Sequence, residues 1–133
     1  MLEIDQIQAF QSSQTHRSMV AQPGNRLFAG SMRSEQPFAL GITFSLAGLN
    51  AANLTKKPIA YFAQFYIRNR ITEIVTHLGK AESATLLEGQ LSYTATLPET
   101  SLQPGVYRLE AIVKLQGVSA TPGSFKIPLL QVV

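Results

Sequence analysis

Residues Leu91–Leu115, LSYTATLPETSLQPGVYRLEAIVKL, decide the fold. Leu91, Tyr93, Ala95 and Leu97 alternate with Ser92, Thr94 and Thr96. Tyr107, Leu109, Ala111, Val113 and Leu115 alternate with Arg108, Glu110, Ile112 and Lys114. Successive side chains of an extended chain point to opposite faces, so a period of two marks a strand with one buried face. Between the runs, Pro98 and Pro104-Gly105 forbid continuation of either strand and supply turn geometry. The stretch predicts two strands joined by a corner.

The same pattern extends outward. In Pro37–Leu46, Phe38, Leu40, Ile42, Phe44 and Leu46 share one face, with Ala39, Gly41, Thr43 and Ser45 on the other. This predicts a strand with an apolar inner face, and Gly41 suggests a close approach or a bulge. In Ile59–Arg68, Ile59, Tyr61, Ala63, Phe65 and Ile67 alternate with Ala60, Phe62, Gln64, Tyr66 and Arg68. Aromatic residues on both faces predict a central strand, or one whose outer face is covered. Leu2–Phe10 carries Ile4, Ile7 and Phe10 at a spacing of three, which fits helix or strand, and the β-branched pair favours strand. Asn69-Arg70 reads as a tight turn. In Ile71–Leu78, Ile71, Ile74, Val75 and Leu78 match a helical face stopped by Gly79, but the β-branched content favours a strand. Ser124–Val133 closes the chain as a strand, and Pro128 predicts an edge position or a bulge there.

The rest reads as connection. Gln11–Asn25 is polar and turn-rich and predicts a loop with mobile parts, within a long polar connection over 11–36. Arg26–Gly30 offers a short edge segment at most. Ala47–Pro58 and Gly117–Gly123 are further connections. Asn53-Leu54-Thr55 fits a glycosylation sequon, which carries little weight without a secretory signal. Together these elements predict an all-β fold, an antiparallel β-sandwich of about seven or eight strands formed by residues 1–133 as one domain.

Within this frame, Leu102-Gln103-Pro104-Gly105-Val106-Tyr107-Arg108-Leu109-Glu110-Ala111 resembles the corner before the penultimate strand of immunoglobulin-like and fibronectin type III-like sandwiches. The resemblance implies a structural corner of Leu102, Gly105 and Tyr107. The tyrosine bonds back to the preceding loop and the leucine plugs that loop into the core. It also implies that strands 59–68 and 105–116 are neighbours in one sheet. Here the tyrosine follows the glycine by two positions, where fibronectin type III domains often have three, and the cysteine pair and core tryptophan of antibody domains are absent. A fold of this kind carries no particular function.

Composition narrows the chemistry. With 45% hydrophobic and 14% charged residues the chain is globular in character. Cysteine is absent, which excludes disulfides, thiolate zinc sites and cysteine nucleophiles. The net charge is only +3, but residues 15–70 hold seven basic residues against one acid, Glu35. No apolar run is long enough to span a membrane, and the N-terminal MLEIDQIQAF has no signal-peptide character. Read from Met1 as the start, the expectation is a cytoplasmic protein without cofactor or metal.

The catalytic inventory is thin: two histidines, His16 and His77, one aspartate, Asp5, and no Gly-x-Ser-x-Gly elbow or glycine-rich phosphate loop. Glu73 and His77, four apart, are the nearest approach to a hydrolase or metal site, one ligand short of a catalytic zinc. The expectation is no enzyme. What remains is a surface. Phe62, Tyr66, Arg68 and Ile112 fall on outward positions of neighbouring strands, and aromatics rimmed by arginine are typical of protein contacts. The predicted function is a non-catalytic module that self-associates or docks another protein there. The competing reading is that another part of the chain, such as the loop 11–25, covers these residues. A second function class is nucleic-acid binding through Arg26, Arg33, Lys56, Lys57, Arg68 and Arg70, with Tyr66 as a stacking residue.

Overall fold

The structure is a computed structural model that describes residues 2–11, 17–28, 30–81, 84–118 and 122–133. Among these the strands are β1 Leu2–Gln11, β2 Arg17–Ala21, β3 Phe38–Leu46, β4 Ala60–Asn69, β5 Val75–Lys80, β6 Ala84–Thr85, β7 Ser92–Thr100, β8 Gly105–Leu115 and β9 Gly123–Val132. One short helix, α1 Ala51–Leu54, interrupts the connection between β3 and β4. One antiparallel sheet runs β2-β1-β3-β7, and the other runs β5-β4-β8-β9 with β6 pairing the start of β4. The chain is all-β, and its two sheets form a β-sandwich.

The alternation places the core. Phe38, Leu40, Ile42, Phe44 and Leu46 of β3 are buried, as are Tyr61, Ala63, Phe65 and Ile67 of β4 and Tyr107, Leu109, Ala111, Val113 and Leu115 of β8. Phe44, Tyr61 and Tyr93 pack between the sheets with ring centroids 5.2–5.7 Å apart. Burial, with a smaller contribution from Tyr93, pushes the Tyr61 phenol above its ordinary value. Tyr107 Oη donates to the Gln103 carbonyl at 2.8 Å, and Leu102 packs partly buried on the core. Gly105 lets the ring fold back, since a Cβ there would meet Tyr107 at 3.3 Å.

Several expectations are corrected. Leu2–Gln11 is a strand, but its spacing of three comes from a register shift between Ile4 and Gln6 that leaves Asp5 unpaired. The extra residue changes the phase, so Ile4 and Ile7 both point inward, while Phe10 is exposed and Ala9 and Gln11 are buried. Pro98 does not stop β7, which runs on to Thr100 on the sheet's outer edge with a register shift opposite Ala39. An edge strand tolerates the missing donor at a bulge. β9 obeys the same rule: it is an edge strand with a register shift at Pro128. The strand predicted over 71–78 begins only at Val75. The turn before it is longer than Asn69-Arg70, with Asn69 Oδ1 accepting from the backbone N–H groups of Ile71 and Thr72.

The loop expected over 11–25 contains β2, which pairs β1 antiparallel. Its residues 12–16, including His16, lie outside the described residues. The rest of the polar connection is tied down. Phe28 and Met32 are buried, and Met32 bridges in parallel to Val132. The Gln11 side chain substitutes for a ladder here: its Nε2 donates to the carbonyls of Arg33 and Gln36, and its Oε1 accepts from the Arg33 N–H. Arg26–Gly30 forms no strand among the described residues. In the sequon, Thr55 is buried and its hydroxyl is engaged, donating to the Ala52 carbonyl and accepting from the Gly89 N–H.

Candidate docking face on the five-stranded sheet

The inward set of β4 and β8 fixes what faces out. Residues opposite each other in register share a face. Phe62 stands opposite Lys114, Gln64 opposite Ile112, Tyr66 opposite Glu110 and Arg68 opposite Arg108. On one flank β5 adds Lys80 beside Gln64, His77 beside Tyr66 and Val75 beside Arg68. On the other flank β9 adds Ser124 beside Ile112 and Lys126 beside Glu110. The sheet therefore brings the four residues singled out from sequence, Phe62, Tyr66, Arg68 and Ile112, onto one face. It also brings Arg108 and Lys114, outward by the alternation of β8, together with two cations that sequence reading did not assemble, Lys80 and Lys126.

Phe62, Tyr66 and Ile112 are half-buried. Among the described residues, their aromatic and polar contacts come from the sheet's own strands. Lys80 Nζ lies 4.5 Å over the Phe62 ring, His77 packs 5.0 Å from Tyr66, and the Tyr66 hydroxyl donates to Gln64 Oε1. Within the 11–25 stretch, Arg17–Ala21 pairs into the other sheet instead. Each exposed cation–π or ring contact is worth about 1 kcal/mol or less, enough to orient these rings without hiding them.

The electrostatics are lopsided. Glu110 is the only carboxylate among these outward positions, and it sits 3.7 Å from Lys126 and 3.3 Å from Ser124 Oγ. Arg68 reaches Glu73 of the adjoining turn at 3.7 Å, both side chains largely exposed. Arg108 and Lys114 have no ion-pair partner among the described residues. Arg68 and Arg108 face each other directly across paired strands, an arrangement of like charge that weakens a sheet. Tyr66, Arg68, Val75, Arg108, Glu110 and Lys126 line an open depression of about 220 Å³. A second depression, between the 70–74 turn and the Leu102 corner, carries no charged residue in its lining.

The other candidates fall apart spatially. Glu73 is in the turn before β5, at φ 64°, paired with Arg68, while His77 packs at a tilt against Tyr66. They do not share an element face. Among the described residues no group of three or more His, Cys, Asp or Glu is placed to hold a metal. Of the basic set, Arg26 lies over the Phe125 ring and Arg33 pairs with Glu35. Lys56 and Lys57 precede one end of β4 while Arg68 and Arg70 close the other, about 30 Å away along the strand. Arg70 turns its guanidinium to the Pro128 carbonyl at 2.7 Å. No described helix is long and apolar enough to cross a membrane. No protein-family model matches the chain, and no curated protein matches it.

Proposed function

We propose that the protein is a non-catalytic interaction module that docks a short acidic segment of another protein on the outer face of β4 and β8. The observation that carries this reading is the half-buried patch of Phe62, Tyr66 and Ile112 set among five cations and one carboxylate. Apolar residues at the centre and arginine at the rim suit a protein partner. The charge selects an acidic one, and sets the face against a second copy of itself. Four outward positions along β4 and four neighbouring strands give a face of about 20 by 15 Å. That falls below the roughly 800 Å² per partner of a stable complex, which favours a peptide-sized epitope. Nucleic acid fits less well, because Tyr66 and Phe62 already carry His77 and Lys80 against their rings where a base would stack.

We also infer that the sandwich is immunoglobulin-like. The orders β1-β3-β7 and β5-β4-β8-β9 parallel the A-B-E and C′-C-F-G arrangement of such domains, with Tyr107 at the corner. Sheets of this kind present a flat outer face, which is compatible with docking.

The test compares wild type with a Phe62→Asp, Ile112→Asp double variant, and with Leu49→Asp at a fully exposed site elsewhere, as immobilised baits in host extract. An acidic protein held by wild type and Leu49→Asp, lost by the double variant and eluted by salt, is the expected result. Equal retention by all three overturns the face. Light scattering is expected to give the 14.5 kDa monomer. A dimer dissolved by Ile112→Asp would replace the acidic partner with self-association.

A further inference from the structure

We propose that Arg68, Arg108 and Lys126 form a site for a phosphomonoester, presented as a phosphorylated side chain of the acidic segment that docks beside it. Only the source of the phosphate rests on the docking reading; the site itself stands on its own geometry. Two arginines at directly opposed positions of β4 and β8 line one depression. A folded sheet gains nothing from that juxtaposition, and a multiply charged anion seated between the two would relieve it.

Charge and size select the ligand. Three cations and the single carboxylate of Glu110 in the lining leave two positive charges, matching the −1.5 to −2 of a phosphomonoester near neutral pH. A carboxylate or a phosphodiester brings only one negative charge. About 220 Å³ accommodates a phosphate group and is smaller than the roughly 300–1,000 Å³ that takes a whole small molecule. The phosphate must therefore arrive on something that binds outside the depression. The apolar centre of the face adjoins it through Tyr66, which lines the depression, and Glu110, which stands between Arg108 and Ile112 along β8. Glu73 competes for Arg68 from the turn, but at 3.7 Å between two largely exposed groups it is easily displaced.

The experiment is an NMR titration at fixed ionic strength, reading arginine Nε–H and backbone amide shifts, with inorganic phosphate, O-phospho-L-serine and dimethyl phosphate as probes. Phosphate and phosphoserine are expected to saturate, with shifts at Arg68, Arg108 and Lys126. They should bind at least about ten-fold more tightly than dimethyl phosphate, and more tightly as the ligand loses its second proton near pH 6. Arg108→Gln should weaken phosphate about ten-fold or more, and Lys56→Gln, at the far end of β4, should leave it unchanged. The groups around the depression are Arg68 and Tyr66 of β4, His77 of β5, Arg108 and Glu110 of β8, Lys126 of β9, and Glu73 with Arg70 in the turn. His77→Gln carried through the same pH series separates an imidazole contribution from that of the ligand. Arg108→Gln should also raise the thermal midpoint at low salt, which a merely structural arginine would not do. Shifts that fail to saturate by about 50 mM, or equal binding of dimethyl phosphate, overturn the site.

The source is read from a phosphoserine peptide rich in Asp and Glu. It should bind about ten-fold more tightly than free phosphoserine, and Ile112→Asp should remove that gain while leaving inorganic phosphate binding intact. Loss of the gain with phosphate retained reports on the docking face. Loss of phosphate itself reports on this site. A peptide no tighter than free phosphoserine, or vesicles of phosphatidic acid binding more tightly than the peptide, overturns the assignment to a phosphorylated protein.

Discussion

Tyr107 shows how much one side chain decides. Its ring is buried against the core, Gly105 leaves room for it, and its hydroxyl ties the loop at Gln103 to the strand it opens. Tyr107→Phe is expected to cost about 1 kcal/mol in urea denaturation, the net worth of one hydrogen bond with its acceptor left partly buried. Gln11 carries more. Three backbone groups of Arg33 and Gln36 depend on its amide, so Gln11→Ala should cost about 2 kcal/mol. Gln11→Glu should cost a comparable amount, because a carboxylate supplies no donor. Tyr61 sets an alkaline limit. Its folded-state pKa lies above its unfolded value, so the neutral phenol contributes fully below pH 10.0, and stability is lost as pH rises towards the folded value. Denaturation midpoints measured above pH 10.0 should fall more steeply for wild type than for Tyr61→Phe.

At the scale of elements, strands read off by a period of two were legible wherever the run stayed in phase: β3, β4 and β8 begin and end within a residue or two of their sequence bounds. Misreadings came where phase breaks. Asp5 inserts one residue into β1 and turns a strand period into an apparent spacing of three. Deleting Asp5 would remove the bulge and leave Leu2, Ile4, Ile7 and Ala9 in strict alternation on the inner face, so urea denaturation should show little loss of stability. Pro98 looked like a terminator because sequence does not reveal that β7 is an edge. β2 was hidden because an edge strand needs little apolar pattern. Ile71 and Ile74 promised a buried face, yet they lie in a turn shaped by Asn69, 82% and 64% exposed. Gly79 is the reason β5 sits where it does, since a Cβ there would fall 2.5 Å from Leu97 of the other sheet. Gly79→Ala should therefore cost about 1–3 kcal/mol by forcing Leu97 from its rotamer, read as a lowered denaturation midpoint.

For the molecule as a whole, the apolar half of the candidate face was visible in sequence and its electrostatic half only in part. Phe62, Tyr66, Arg68 and Ile112 alternate visibly against core residues. Arg108 and Lys114 alternate outward on β8 in the same way, but Lys80 and Lys126 join them only through the pairing of β5 and β9. The excess of basic residues over 15–70 drew attention elsewhere, and most of it is dispersed. That distribution makes the proposed acid-seeking face on one sheet directly measurable. The measurement is an amide-shift map of the protein with a short polyglutamate peptide, which contains no phosphate, at low and high salt. Perturbations are expected to gather on Gln64, Tyr66, Arg68, Lys80, Glu110 and Ile112, fading as salt screens the contact. Perturbations centred on Arg33, Lys56 and Lys57, or none at low salt, would contradict it.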